Sequence, residues 1–122
     1  MIDFEAANLA RDARLRWRVL RLLDVFKPVS PTGLQIKDAL ESAAGKDRLE
    51  DEQHLIKLLT DLGNGGYALI VDTRTLRREE LTLGFMNCSI THKGTSFVAR
   101  CSPPDPLIDD GRIVKQRLTT GN

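Results

Sequence analysis

At residues 63–66 the chain reads Gly-Asn-Gly-Gly, and the spacing of its apolar residues changes across that break. Before it, apolar side chains recur at helical intervals. After it, they alternate. A helical period in one half and a strand period in the other predict an α+β fold.

Three helices are expected before the break. The first spans roughly residues 4 to 26, where Leu15, Val19, Leu22, Leu23 and Phe26 share one face and Pro28 stops the helix. Leu9, Ala13, Trp17 and Leu20 project on another side. A helix with two apolar surfaces buries both, one in the core and the other against the C-terminal segment or a second subunit. The second helix follows, with Ser30 as its cap, Pro31 in its first turn and Gly45 at its stop. Ile36, Ala39, Leu40 and also Leu34 are expected to point inward. The third begins near Asp51. Leu55, Leu58, Leu59 and Leu62 form its apolar face, and Asp51 and Glu52 sit at the positive end of its dipole.

Beyond the glycines, Tyr67 to Val71 has strand character, and residues 84–90 return with Met86, Cys88 and Ile90 on one face. The polar connection between them carries Arg74, Arg77 and Arg78. Thr91 opens a last helix running to about Arg100, anchored by Phe97 and Val98. The sequence Cys-Ser-Pro-Pro-Asp-Pro at 101–106 breaks the pattern. Residues 1–101 therefore read as one domain and 102–122 as a tail, partly ordered or docked through Leu107, Ile108, Ile113 and Val114.

The third helix closes as Leu59-x-x-Leu62-x-x-x-Gly66-Tyr67, and the second strand closes as Ile90-Thr91-x-x-Gly94. Together with the order helix, helix, helix, hairpin, helix, these motifs resemble the winged helix-turn-helix superfamily. The resemblance covers about residues 12–100. Within that superfamily the small size and Pro-containing tail are similar to short winged-helix proteins of Mu-like prophages. It implies three helices, a β-hairpin wing and a C-terminal helix. It also implies double-stranded DNA as partner, for a transcriptional regulator or phage-related accessory protein. The third helix becomes the recognition helix, presenting Gln53, Ile56, Lys57, Thr60 and Asn64. Gln can bond adenine through two hydrogen bonds and Ile can touch a thymine methyl. Arg74, Arg77 and Arg78 on the wing would reach a neighbouring backbone or minor groove.

Charge does not decide the matter. The formal net charge is +1, and the third helix sets Asp51, Glu52 and Asp61 against Lys57 alone. Arg11, Arg14, Arg18 and Arg21 share a face of the first helix, which reads as a solvated surface or a phosphate-facing strip. The second reading of the whole is a protein-interaction adaptor, drawn from the acidic third helix and the apolar surface of Trp17 and Leu20. Those two residues serve either intramolecular packing or a homodimer contact.

No catalytic constellation is visible, and neither a cofactor nor a metal is expected. Cys88, His92 and Cys101, with His54, match no compact zinc spacing and read as buried thiols and an exposed helix histidine. No apolar run approaches the ~20 residues that cross a bilayer. The first residues lack a signal-peptide pattern, so a cytoplasmic protein is expected.

Overall fold

Helix α1 occupies Phe4–Phe26 in the computed structural model, which describes residues 4–43, 45–74 and 80–112. It is followed by α2 (Gly33–Ser42), α3 (Glu52–Asn64), strand β1 (Ala68–Asp72), a 3-10 turn at Leu83–Phe85, strand β2 (Met86–Ile90) and α4 (His92–Val98). The fold is α+β, with four helices and one antiparallel hairpin among the described residues. No helix among them is long and apolar enough to cross a membrane.

Both apolar sides of α1 are used. Leu15, Val19 and Leu23 are buried on one, and Ala13 and Leu20 on the other. Trp17 is half-buried and meets the Phe97 ring edge-on at 6.1 Å. Leu9 is exposed on the overhanging first turns.

Helix α2 starts later than Ser30. Its cap is Thr32, whose hydroxyl accepts the Gln35 N–H at 3.2 Å while the Gln35 side-chain oxygen accepts the Thr32 N–H at 2.9 Å. The reason lies across the fold: the Pro31 carbonyl accepts the Cys88 N–H at 2.9 Å, and Thr32 bridges Asn87 antiparallel. The chain must stay extended along β2 until that contact is made, so helix can begin only after it. Ile36 and Leu40 point inward and Ala39 is half-buried, but Leu34 is 43% exposed. The stop comes at Ala43 in extended backbone, before Gly45.

Helix α3 is capped by Asp51, whose carboxylate accepts the His54 N–H at 2.8 Å. Leu55, Leu58, Leu59 and Leu62 are all buried. Gly66 takes φ +81°, a left-handed conformation that a side chain would strain, and Tyr67 N–H reaches back to the Leu62 carbonyl. Lys93 Nζ donates to the Gly65 carbonyl at 2.6 Å, placing a cation at the negative end of the helix.

The strands pair from Ala68↔Ile90 to Asp72↔Met86. The returning strand starts at Met86, not Gly84, because Leu83–Phe85 first turn to bury Leu83 against Gly33. Met86 and Cys88 face the core and Ile90 is half-buried. Thr91 caps α4, which ends at Val98, two residues before Arg100. Gly94 sits directly on the Tyr67 carbonyl: a Cβ there would lie 2.2 Å from that oxygen and 2.6 Å from Ile90 Cγ1.

The described part of the tail is docked. Ile108 is buried, Asp109 N–H donates to the Ala13 carbonyl at 3.0 Å, and the Tyr67 hydroxyl donates to Asp105. Leu107 is 57% exposed: its side chain stays outside, while its carbonyl accepts from Arg16 and its N–H donates to Asp105. Ile113 and Val114 lie outside the described residues.

Candidate nucleic-acid interface

The residues proposed from sequence for recognition lie on the side of α3 opposite its buried leucines. Gln53, Lys57, Thr60 and Asn64 are exposed, and Ile56 is half-buried at the margin of the core. The Thr60 hydroxyl donates to the Ile56 carbonyl at 2.8 Å, so its free lone pairs face outward as acceptors. Asn64 closes the helix.

Behind this face, two polar clamps join α3 to α1. Arg16, a buried residue, donates to Asp61 at 2.7 and 3.2 Å and to the Leu107 carbonyl at 3.0 Å. His54 Nε2 lies 2.7 Å from Asp12 Oδ1, and its Nδ1 accepts the Glu50 N–H at 3.1 Å. With Nδ1 accepting, the ring proton sits on Nε2 and is donated to Asp12. Burial pushes the Asp12 carboxyl up, but the hydrogen bond from His54, then the hydrogen bond and charge of Arg11, outweigh it and hold Asp12 below the usual carboxylate range. A carboxyl depressed on folding stabilises the protein above its unfolded value near ~4 and loses that contribution as pH falls through the folded value. Asp12→Asn is therefore expected to lose less stability than the wild type between neutral pH and about pH 3, read as urea midpoints at the two pH values.

These clamps change the charge of the helix. Asp51 caps the helix and Asp61 is held by Arg16, which leaves Glu52 and Lys57 as the outward charges of α3. Lys57 Nζ is 3.8 Å from Asp12 and 3.9 Å from Asp61, yet its side chain remains 60% exposed and free to swing outward.

The α1 arginines keep part of their surface exposed, but most are engaged within the chain. Arg14 forms a two-bond pair with Asp47 at 2.8 Å each. Arg11 pairs with Asp12 and Glu50. Arg18 donates to the carbonyls of Asp47 and Leu40, and Arg21 stacks on Trp17. Three of the four anchor the loop between α2 and α3, giving α3 a fixed starting point. That loop also carries two cations not singled out from sequence. Lys46 and Arg48 are exposed on either side of Asp47 and have no ion-pair or hydrogen-bond partner among the described residues. As Lys-Asp-Arg the triplet reads as mixed charge. Once Arg14 takes Asp47, the flanking residues are a pair of free cations.

On the hairpin, Arg74 is held within the chain. Its side chain is 11% exposed, bonded to Asp72 and to the Glu80 carbonyl, and lies over the Phe85 ring. Asp72 lies two residues away and captures it, so it braces the hairpin base. Arg77 and Arg78 lie outside the described residues. Leu20 takes the intramolecular alternative: it has no exposed surface, because α1 turns it into the chain's own core. Trp17 is covered in part by Phe97 and Arg21.

The cysteines match the expectation in part. Cys88 is buried, and burial pushes its thiol up to about 12, but Cys101 is exposed. His54 is buried while His92 is exposed. Among the described residues no group of three or more His, Cys, Asp or Glu side chains is arranged to hold a metal.

No family model matches the chain, and no curated protein or solved structure matches it.

Proposed function

We propose that this chain is a winged-helix protein that binds double-stranded DNA, with α3 as the recognition helix and the β1–β2 hairpin as the base of the wing. A transcriptional regulator or phage-related accessory protein is the role that follows. The observation that carries the reading is the asymmetry of α3. Its rear is fixed by four buried leucines and two polar clamps, while Gln53, Lys57, Thr60 and Asn64 stand exposed on the other side. A helix that reads base edges needs such a rigid mount and an outward row of polar side chains.

Cations flank that row. Lys46 and Arg48 precede the helix and Lys57 lies on it. Asp51 already occupies the helix N-terminus, so phosphate contacts fall to these side chains and not to the free backbone N–H groups. Removing one cation that neutralises a phosphate lowers the salt dependence of log K by about 0.9. Lys57→Ala is expected to reduce the slope by about one, and Lys46→Ala with Arg48→Ala by about two, in anisotropy titrations of a labelled duplex. Unchanged slopes in both variants would remove this surface from the DNA interface.

The adaptor reading has one observation in its favour. Leu69 and Val71 are 57% and 45% exposed on the hairpin, an apolar pair whose register partners are Ser89 and Asn87. It offers a protein partner a surface separate from α3.

A further inference from the structure

Between α1 and α2 lies an open crevice of about 190 Å³. Its walls are apolar: Leu22 and Val25 from α1, and Ala39, Leu40 and Ala43 from α2 and its cap. Val25 is 79% exposed, so no other described element covers the crevice. Two guanidinium groups, Arg18 and Arg21, complete the lining.

Neither arginine is ion-paired among the described residues. Arg18 offers five N–H donors, of which two are taken by the carbonyls of Leu40 and Asp47. The rest have no protein acceptor there. Arg21 is exposed, and its described contact is the Trp17 ring, 5.9 Å from the guanidinium carbon to the centroid. Their neighbours on the same α1 face behave differently: Arg11 and Arg14 are both matched by carboxylates. Unneutralised positive charge on this face is thus confined to the pair that lines the crevice.

We propose that this crevice binds a small carboxylic acid with an apolar body, the chain or ring lying between α1 and α2 and the carboxylate meeting Arg21, with Arg18 adding a further donor. Charge complementarity sets the anionic end, since a guanidinium presents a planar fork that fits a carboxylate. Apolar walls set the other end. The volume sets the size of the apolar body, because it falls below the ~300–1,000 Å³ of sites for drug-sized ligands. The site is separate from the outward face of α3 and does not depend on DNA binding.

The test uses the full chain, labelled with ¹⁵N and titrated with hexanoate, acetate and 1-hexanol. Hexanoate is expected to give saturable amide shifts at Leu22, Val25, Ala39 and Ala43, with acetate giving none. Hexanol keeps the apolar body but lacks the charge, and should bind about tenfold more weakly, the factor expected for one charge-assisted hydrogen bond at a half-open site. Arg21→Gln should weaken hexanoate by a similar factor while leaving the thermal midpoint and the hexanol affinity unchanged. Ala39→Leu fills the crevice and should abolish the hexanoate shifts; thermal melting confirms that the variant is folded. Hexanol binding as tightly as hexanoate, an Arg21→Gln variant with wild-type hexanoate affinity, or shifts absent from these four residues would each overturn the proposal.

Discussion

Gly94→Ala is expected to destabilise the protein by about 3 kcal/mol or more, the upper range for forcing extra volume into a packed site. For a domain of this size that corresponds to a fall of roughly 10–20 °C in Tm. The cause is a collision with backbone. The new methyl would sit 2.2 Å from the Tyr67 carbonyl oxygen, which also accepts the Thr91 N–H at 3.1 Å. Neither atom can swing aside as a flexible side chain would. Relief requires lifting α4 off the start of β1, and α4 carries Phe97, which is fully buried between Trp17 and Tyr67. Gly84→Ala is the matched control. Its added Cβ would meet Leu34 Cδ1 at 3.4 Å, a side chain near the surface that can yield. Thermal melting of the two variants should separate them clearly. Equal midpoints would mean that α4 is not seated on Tyr67.

Arg16→Ala is the second large effect, expected at about 2–4 kcal/mol. Removing the guanidinium takes the close partner from Asp61, leaving it only the Lys57 ammonium 3.9 Å away, and frees the Leu107 carbonyl in one step. Asp61 retains some access to water, which keeps the cost below that of a fully buried orphan charge. The consequence reaches beyond stability, because Arg16 ties α1 to both α3 and the tail. Hydrogen exchange at Asp109 N–H, which donates to the Ala13 carbonyl, should accelerate in Arg16→Ala. In Asp61→Asn it should not, since the hydrogen bond to Leu107 survives. Equal protection at Asp109 in Arg16→Ala and the wild type would show that the tail holds its place without Arg16.

What is legible in the sequence is the part governed by local periodicity. Leu55, Leu58, Leu59 and Leu62 announce α3 because four residues at helical spacing can share a face in only one way. The limits of α1 are equally plain, with Pro28 setting its end. The shift from Ser30 to Thr32 is not legible, because both residues cap well and the choice is made by Pro31 pairing with β2 more than fifty residues later. The arginines show the same limit more strongly. Their charge is visible in sequence, but Arg14–Asp47, Arg16–Asp61 and Arg74–Asp72 are matched only by the fold. Counting charges along α3 therefore overstates its acidity, and Arg74 is spent on Asp72. The partner of His54 follows the same course: only the return of α1 places Asp12 beside it. In the tail, Ile108 and Leu107 are adjacent and apolar, and no periodic pattern says which is buried.

The claim that α3 presents its outward face to DNA is tested most directly by mapping amide shifts. The ¹⁵N-labelled chain would be titrated with a random-sequence duplex at low salt. The expected result is a set of changes at Gln53, Ile56, Lys57, Thr60 and Asn64, together with Lys46 and Arg48, that fades as salt is raised. Changes confined to Leu69 and Val71, or a spectrum unaltered by DNA at any salt concentration, would contradict it.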